Sequence, residues 1–201
     1  GTPGVYNSFS QGAGIGFRLI AAGGVGLLVD GSGNDRYESG EFAQGVGYYL
    51  GAGVLYDAAG NDHYRATRYC QATAAHTAVG MLVDLSGDDR YDGRVTAVQG
   101  VAWDTSAACL RDYAGNDQYH SAGLALGTAC IGSYAEFVDV AGDDTYRYQP
   151  GQALGCSWLQ PGETNCAVCI DAAGNDRYDA SLAPAARSND VRCITGACGL
   201  F

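Results

Sequence analysis

Asp57-Ala58-Ala59-Gly60-Asn61-Asp62-His63-Tyr64 is one copy of a phrase, Asp-x-x-Gly-[Asn/Asp]-Asp-x-Tyr, that occurs six times: at Asp30–Tyr37, Asp57–Tyr64, Asp84–Tyr91, Asp112–Tyr119, Asp139–Tyr146 and Asp171–Tyr178. Successive copies start 27, 27, 28, 27 and 32 residues apart. A near-constant period in this range marks a solenoid, in which each repeat is one turn that buries its apolar side against its neighbours. The phrase therefore predicts an all-β fold, a parallel β-solenoid of about six turns of about 27 residues. It also poses a difficulty. Stacked turns place two carboxylates per turn over two others at one strand spacing, about 4.8 Å. Like charges that close repel, and buried charge has to be paired or bound to metal. The sequence predicts a ladder of bound cations.

Outward from the phrase, the second repeat reads Gln44-Gly45-Val46-Gly47-Tyr48-Tyr49-Leu50-Gly51-Ala52-Gly53-Val54-Leu55-Tyr56 before Asp57. Two positions before each first Asp stand Leu28, Leu55, Leu82, Leu110, Phe137 and Cys169; four before it stand Gly26, Gly53, Gly80, Ala108, Ala135 and Ala167. A period of two is a strand, and its parity turns the first Asp inward with the apolar residues. The fourth-position glycines (Gly33, Gly60, Gly87, Gly115, Gly142 and Gly174) permit φ > 0. Asn or Asp beside them also tolerates left-handed backbone, so the phrase reads as strand, turn, strand. The Tyr column is expected to stack as packing. Gln44, Gln71 and Gln99 recur thirteen residues before the phrase, with Leu126 in that place in the fifth repeat. Extra residues around Leu19–Gly24 and Gln160–Thr164 predict surface loops on one side of the stack.

Each turn then offers two carboxylates, an amide or third carboxylate, and carbonyls freed by the turn. Roughly six to eight hard oxygen ligands are what Ca²⁺ takes, whereas Mg²⁺ demands octahedral geometry and keeps more water. The candidate ligands are Asp30, Asn34, Asp35, Asp57, Asn61, Asp62, Asp84, Asp88, Asp89, Asp112, Asn116, Asp117, Asp139, Asp143, Asp144, Asp171, Asn175 and Asp176. The competing reading is metal-free: Asp in turns caps backbone N–H groups. Asn or Ser would do that without repulsion, yet the first and sixth positions are Asp in every copy.

The half-phrase Gly-[Asn/Asp]-Asp-x-Tyr resembles the core of the nonapeptide Gly-Gly-x-Gly-x-Asp-x-apolar-x of the RTX calcium-binding β-rolls. The resemblance covers about five residues per repeat. It implies calcium held between turns, folding coupled to calcium, and secretion. RTX nonapeptides run in tandem, whereas these copies come once per long repeat, and the leading Asp replaces an RTX glycine. The ligand logic carries over, and the roll geometry does not.

The net charge of −11 has one source. The first and sixth positions, with Asp88 and Asp143 at the fifth, hold fourteen of the 22 acids, leaving eight against eleven Arg; there is no Lys. One divalent ion per copy would bring the total near zero, where proteins associate readily. There is no basic stripe, which argues against nucleic acid as a partner. No apolar run approaches the ~20 residues of a membrane span. The sequence begins with Gly1 rather than Met and has an even number of cysteines: 70, 109, 130, 156, 166, 169, 193 and 198. Both features predict a processed, secreted or cell-surface protein with disulfides, Cys193–Cys198 being the expected local clip. Cys166-x-x-Cys169 also reads as half a zinc site or a redox pair, without the second close pair or the βαβ context those need.

No catalytic constellation emerges from spacing. His63 occupies the variable seventh position and is expected in solvent; His76 and His120 have no evident partners; Glu occurs only at 38, 41, 136 and 163. Asp104 beside Trp103 is the acidic–aromatic pair outside the phrase that stands out, as a marker of a carbohydrate surface. The expectation is not an enzyme. Residues 1–178 form the solenoid, and residues 179–201 form a cap or inter-subunit tail. The leading reading is an extracellular structural protein, stabilised by calcium and stacked head to tail into a fibre or surface layer. The alternative is a calcium-dependent adhesin that contacts an extracellular glycan, and behind it a polysaccharide-acting β-helix enzyme.

Overall fold

Leu55, Leu82, Leu110 and Phe137 are fully buried, and so are Asp57, Asp84, Asp112 and Asp139 two places on. The period of two thus turns both the apolar column and the first-position Asp into the interior. The computed structural model describes residues 7–158, 162–180 and 198–200, and for 7, 8 and 198–200 the backbone alone. It is an all-β parallel solenoid, with no helix among the described residues.

Each turn contributes strands to three parallel sheets. The first face carries the second half of the phrase: Arg36–Glu38, His63–Cys70, Arg90–Thr96, Gln118–Ser121, Thr145–Arg147 and Arg177–Asp179, with Asn7–Ser10 and Glu41–Ala43 alongside. The second face carries the strands that lead into the phrase: Val25–Val29, Ala52–Asp57, Val79–Asp84, Ala107–Asp112, Tyr134–Asp139 and Cys166–Asp171, followed by Cys198–Leu200. The third face is built from two-residue strands such as Gly47–Tyr48, Ala74–Ala75 and Ala102–Trp103. Equivalent residues stack in register, with Asp57, Asp84, Asp112, Asp139 and Asp171 forming one column. Tyr37, Tyr64, Tyr91, Tyr119, Tyr146 and Tyr178 form another. Six copies of the phrase bracket five intervals, so the solenoid has about five turns rather than the expected six, about 24 Å of axis at ~4.8 Å per rung.

Between the sheets lies a core of Tyr and Leu, with a column of Ala where the second and third faces approach. Consecutive Tyr rings are parallel at 4.7–5.0 Å, an arrangement worth about 0.5–1.5 kcal/mol per pair beyond burial. Gln44, Gln71 and Gln99 are buried as well, and their Nε2 atoms donate to the carbonyls of Tyr37, Tyr64 and Tyr91 at 2.6, 2.9 and 3.0 Å. The extra residue of the fourth repeat is taken up by a bulge between Gly93 and Thr96. The extra residues of the first repeat form a protruding turn closed by the Phe17–Ala21 bridge.

Three expectations need correction. The positive φ expected of the motif glycines is found at Gly33, Gly87 and Gly174, at 153–158°, and not at Gly60, Gly115 and Gly142, so it does not explain the glycine column. They are glycine because the turns touch. A Cβ on Gly60, Gly87, Gly115, Gly142 or Gly174 would stand 1.5–1.6 Å from the carbonyl oxygen of the glycine one turn earlier. The left-handed residues sit at the other corners and are mostly not glycine: Gln44, Gln71, Gln99, Leu126, Tyr49 and His76 are among them. Among the described residues no disulfide is found; Cys70, Cys109, Cys130, Cys156 and Cys169 are free thiols scattered over different columns and faces. The expected Cys193–Cys198 clip lies outside the described residues, as does most of the tail from 179 onward; Cys198 aligns in register with Cys166. His63 is not free in solvent but half-buried, its Nε2 2.9 Å from Asp92.

Candidate metal centre

The incoming strand delivers the first-position Asp to the corner between the second and first faces, and the phrase's turn brings the sixth-position Asp back beside it. Among the described residues four groups of three carboxylates result: Asp57, Asp62 and Asp84; Asp84, Asp89 and Asp112; Asp117, Asp139 and Asp144; Asp144, Asp171 and Asp176. Within each group one oxygen per residue lies within 4.8 Å of the others. All but Asp171 and Asp176 are buried, at 2% exposure or less.

The hydrogen bonds divide by column. In the sixth-position column, Oδ1 accepts the backbone N–H of its counterpart one turn earlier. Asp62 accepts from Asp35 at 2.6 Å, Asp89 from Asp62 at 2.6 Å, Asp117 from Asp89 at 2.6 Å, Asp144 from Asp117 at 2.7 Å and Asp176 from Asp144 at 2.9 Å. In the first-position column, Oδ1 of Asp30, Asp57, Asp84 and Asp112 accepts the N–H two residues on at 3.1–3.3 Å, and this is the turn cap foreseen from the residue type. The Oδ2 atoms take Tyr hydroxyls. Tyr37, Tyr64 and Tyr91 donate to the next turn's Asp57, Asp84 and Asp112 at 2.6, 2.7 and 2.7 Å. Tyr146 and Tyr178 donate to Asp139 and Asp171 of their own turn. The carboxylate groups change composition at the same place: two first-position Asp and one sixth before it, two sixth and one first after it.

After these bonds, Oδ2 of Asp62, Asp89, Asp117 and Asp144 and Oδ1 of Asp139 remain buried without a hydrogen-bond partner. Burial above all, with the neighbouring carboxylates adding to it, raises Asp62 to about 6. The same two causes push Asp89, Asp112, Asp117, Asp139 and Asp144 upward. Such a column has two ways to become neutral: it takes up protons, or it takes up cations. Its donors fit a hard cation. They are oxygens only, anionic, repeated from the second turn onward, and one oxygen in each of Asp62, Asp89, Asp117 and Asp144 has no other partner.

The candidate ligands of the sequence do not all converge. Asp30 and Asp35, in the first turn, join none of the groups. The fifth-position residues stand outside the buried column, on the surface. There Oδ1 of Asn34, Asn61, Asp88, Asn116 and Asp143 accepts the N–H of the fifth position in the following turn at 2.8–3.1 Å. Asn175 is exposed at the end of that ladder and donates from Nδ2 to Asp143 at 3.2 Å. The tyrosine hydroxyls were missed by reasoning from sequence. Their signal was the unvarying seven-residue step from first Asp to Tyr.

Compared with protein-family models, with curated proteins and with solved structures, the chain finds no match.

Proposed function

We propose that this chain is a non-enzymatic, extracellular structural protein, a β-solenoid whose turns are stapled by a column of divalent cations and which self-associates into a larger assembly. The observation that carries the reading is the buried carboxylate oxygen left without a partner in Asp62, Asp89, Asp117 and Asp144. A turn cap employs one oxygen, and Asn would supply it; an Asp that keeps a second, bare oxygen beside two other carboxylates calls for positive charge. Calcium is the cation of choice, because every donor is a hard, anionic oxygen. The proposed ligands are the first- and sixth-position Asp residues from Asp57 onward, with the fifth-position ladder holding the turns together at the surface. The resemblance to RTX repeats supports calcium and secretion alike. Self-association is supported by the outer side of the second face, where Val25, Leu27, Val29, Val54, Tyr56, Val79, Met81 and Val83 point away from the core. Head-to-tail stacking of turns would extend the same columns from one copy to the next.

The test is calorimetric titration with calcium and with magnesium, together with thermal melts by circular dichroism with and without chelator. Calcium should bind, raise the melting temperature and outcompete magnesium, and sedimentation should show larger species in its presence. A melting temperature indifferent to chelator, with no heat of calcium binding, would overturn the proposal in favour of a protonated column.

A further inference from the structure

On the third face, at its corner with the second, the stacked corner positions read Tyr49, His76, Asp104 and Ile131. All four are in the left-handed region, with φ of 44°, 62°, 53° and 53°. The repeat needs no imidazole or carboxylate there, and among the described residues no turn other than those of His76 and Asp104 places one at this corner. Yet His76 Nδ1 meets Asp104 Oδ2. Arg18 reaches back from the protruding Phe17–Ala21 turn, so that one of its guanidinium nitrogens lies 2.7 Å from His76 Nδ1 and 3.9 Å from Asp104 Oδ2. Burial and the Arg18 charge lower the His76 pKa, with Asp104 opposing them. Arg18 and Asp104 thus bring opposite formal charges to the cluster. None of these residues belongs to the carboxylate column.

Aromatic surface flanks the cluster. The Tyr48 ring stands edge-on to the His76 ring at 5.0 Å. Tyr48, Ala75 and Trp103 follow one another in register along the third face, so two large aromatic side chains stand two rungs apart with the small Ala75 between them. The half-buried Tyr69, stacked on Phe42 at 5.2 Å, continues this surface.

We propose that this corner binds a neutral polysaccharide strand laid along the solenoid axis. The half-buried side chains of Tyr48 and Trp103 offer apolar surface to the C–H face of a pyranose, and Arg18, His76 and Asp104 supply donors and acceptors for its hydroxyls, the usual composition of a ligand site. The rung spacing, about 4.8 Å, is comparable with the length of one pyranose unit, so successive sugars meet successive rungs. The balanced charge selects a neutral chain over a polyanion. A second protein copy seated here would bury the Arg18–Asp104 pair away from water, which is unfavourable unless new partners are supplied; a hydroxyl-rich ligand supplies them.

The test is calorimetry on the calcium-saturated chain with β-1,4-linked glucose and β-1,4-linked N-acetylglucosamine oligosaccharides, from disaccharide to hexasaccharide. At least one series should bind, with affinity rising with length, and Asp104→Ala and Trp103→Ala should each weaken binding by about tenfold or more. Circular dichroism follows the fold in parallel. Trp103 packs against the buried cluster of Ala97, Val101, Leu124 and Cys130, so the surface variant Asp104→Asn provides a second readout should Trp103→Ala unfold. No binding by either series overturns the inference, as does binding that survives the Asp104 variants. A change of sedimentation in those variants without any sugar binding would likewise overturn it, by assigning the corner to self-association.

Discussion

At the scale of single residues, the sixth-position Asp does two things at once: one oxygen holds a backbone N–H of the neighbouring turn, and the other faces its fellow carboxylates. Asp89→Asn keeps the acceptor for the Asp62 N–H, made at 2.6 Å, and removes a charge. The fold should persist while calcium affinity falls, by about tenfold or more. Asp176→Asn, at the half-exposed end of the column, should do less. Calorimetric titration of both variants checks this, and equal, negligible effects would contradict the ligand assignment. The tyrosine column gives a prediction to be read in chelator, because Asp112 is itself a proposed ligand. Tyr91→Phe leaves Asp112 Oδ2 without the donor it holds at 2.7 Å in a fully buried site, and should cost about 1–3 kcal/mol in urea unfolding. Tyr178→Phe, whose residue is 44% exposed, should stay within about 0.5 kcal/mol of the parent.

At the scale of the element, the strand before the phrase was legible from its alternation, and the register followed from the constant spacing of Asp and Tyr. The turn was legible as a turn, with positive φ at Gly33, Gly87 and Gly174, but the contact that demands glycine throughout was not. Glycine is required at its fourth position because carbonyl oxygens of adjacent turns come within van der Waals range of where a Cβ would be, and close approach between residues a full repeat apart leaves no mark within a single repeat. Gly87→Ala would place its Cβ 1.5 Å from the Gly60 oxygen, forcing two turns apart. It should lower stability by about 3 kcal/mol or more, beyond ordinary overpacking. Gly31→Ala, with nothing within 4 Å of its would-be Cβ, should change stability by no more than about 0.5 kcal/mol. Thermal melts of the pair separate contact from composition. The left-handed corners were hidden for the opposite reason. Residues such as Gln71 and Leu126 carry no glycine signal, and they are held there by the hydrogen bonds of the stacked turns.

For the whole molecule, the carboxylate column links stability to pH with a definite sign. A free Asp titrates near 3.9; in the folded chain Asp62 is raised to about 6, and others of the column are raised as well. The folded state therefore holds more protons than the unfolded one above about pH 4, and a folded state that binds the extra protons loses stability as pH rises through its own pKa. Without divalent cation the melting temperature should fall between about pH 5 and about pH 8. Calcium should abolish or reverse that fall, because it binds the deprotonated column and is displaced by protons. Melts at a series of pH values with calcium and with chelator check both halves. A cation-free melting temperature that rises over this range would sink the account of the column.

The sequence by itself determined the class of fold, the period, the inward parity of the first Asp, and which residues form columns, because each of these follows from alternation or from a spacing that repeats. It could not say which oxygens end up bare. That depends on how turns 27 or more residues apart share N–H groups and hydroxyls, and only the stacked structure shows that the fifth-position side chains lie at the surface while Asp62, Asp89, Asp117 and Asp144 each keep a bare oxygen in the buried column. It also could not bring Arg18, His76 and Asp104 together, since they come from three different turns and from an insertion that obeys no period. What repeats in a solenoid is readable from the chain; what breaks the repeat takes its meaning from the residues that coiling places beside it.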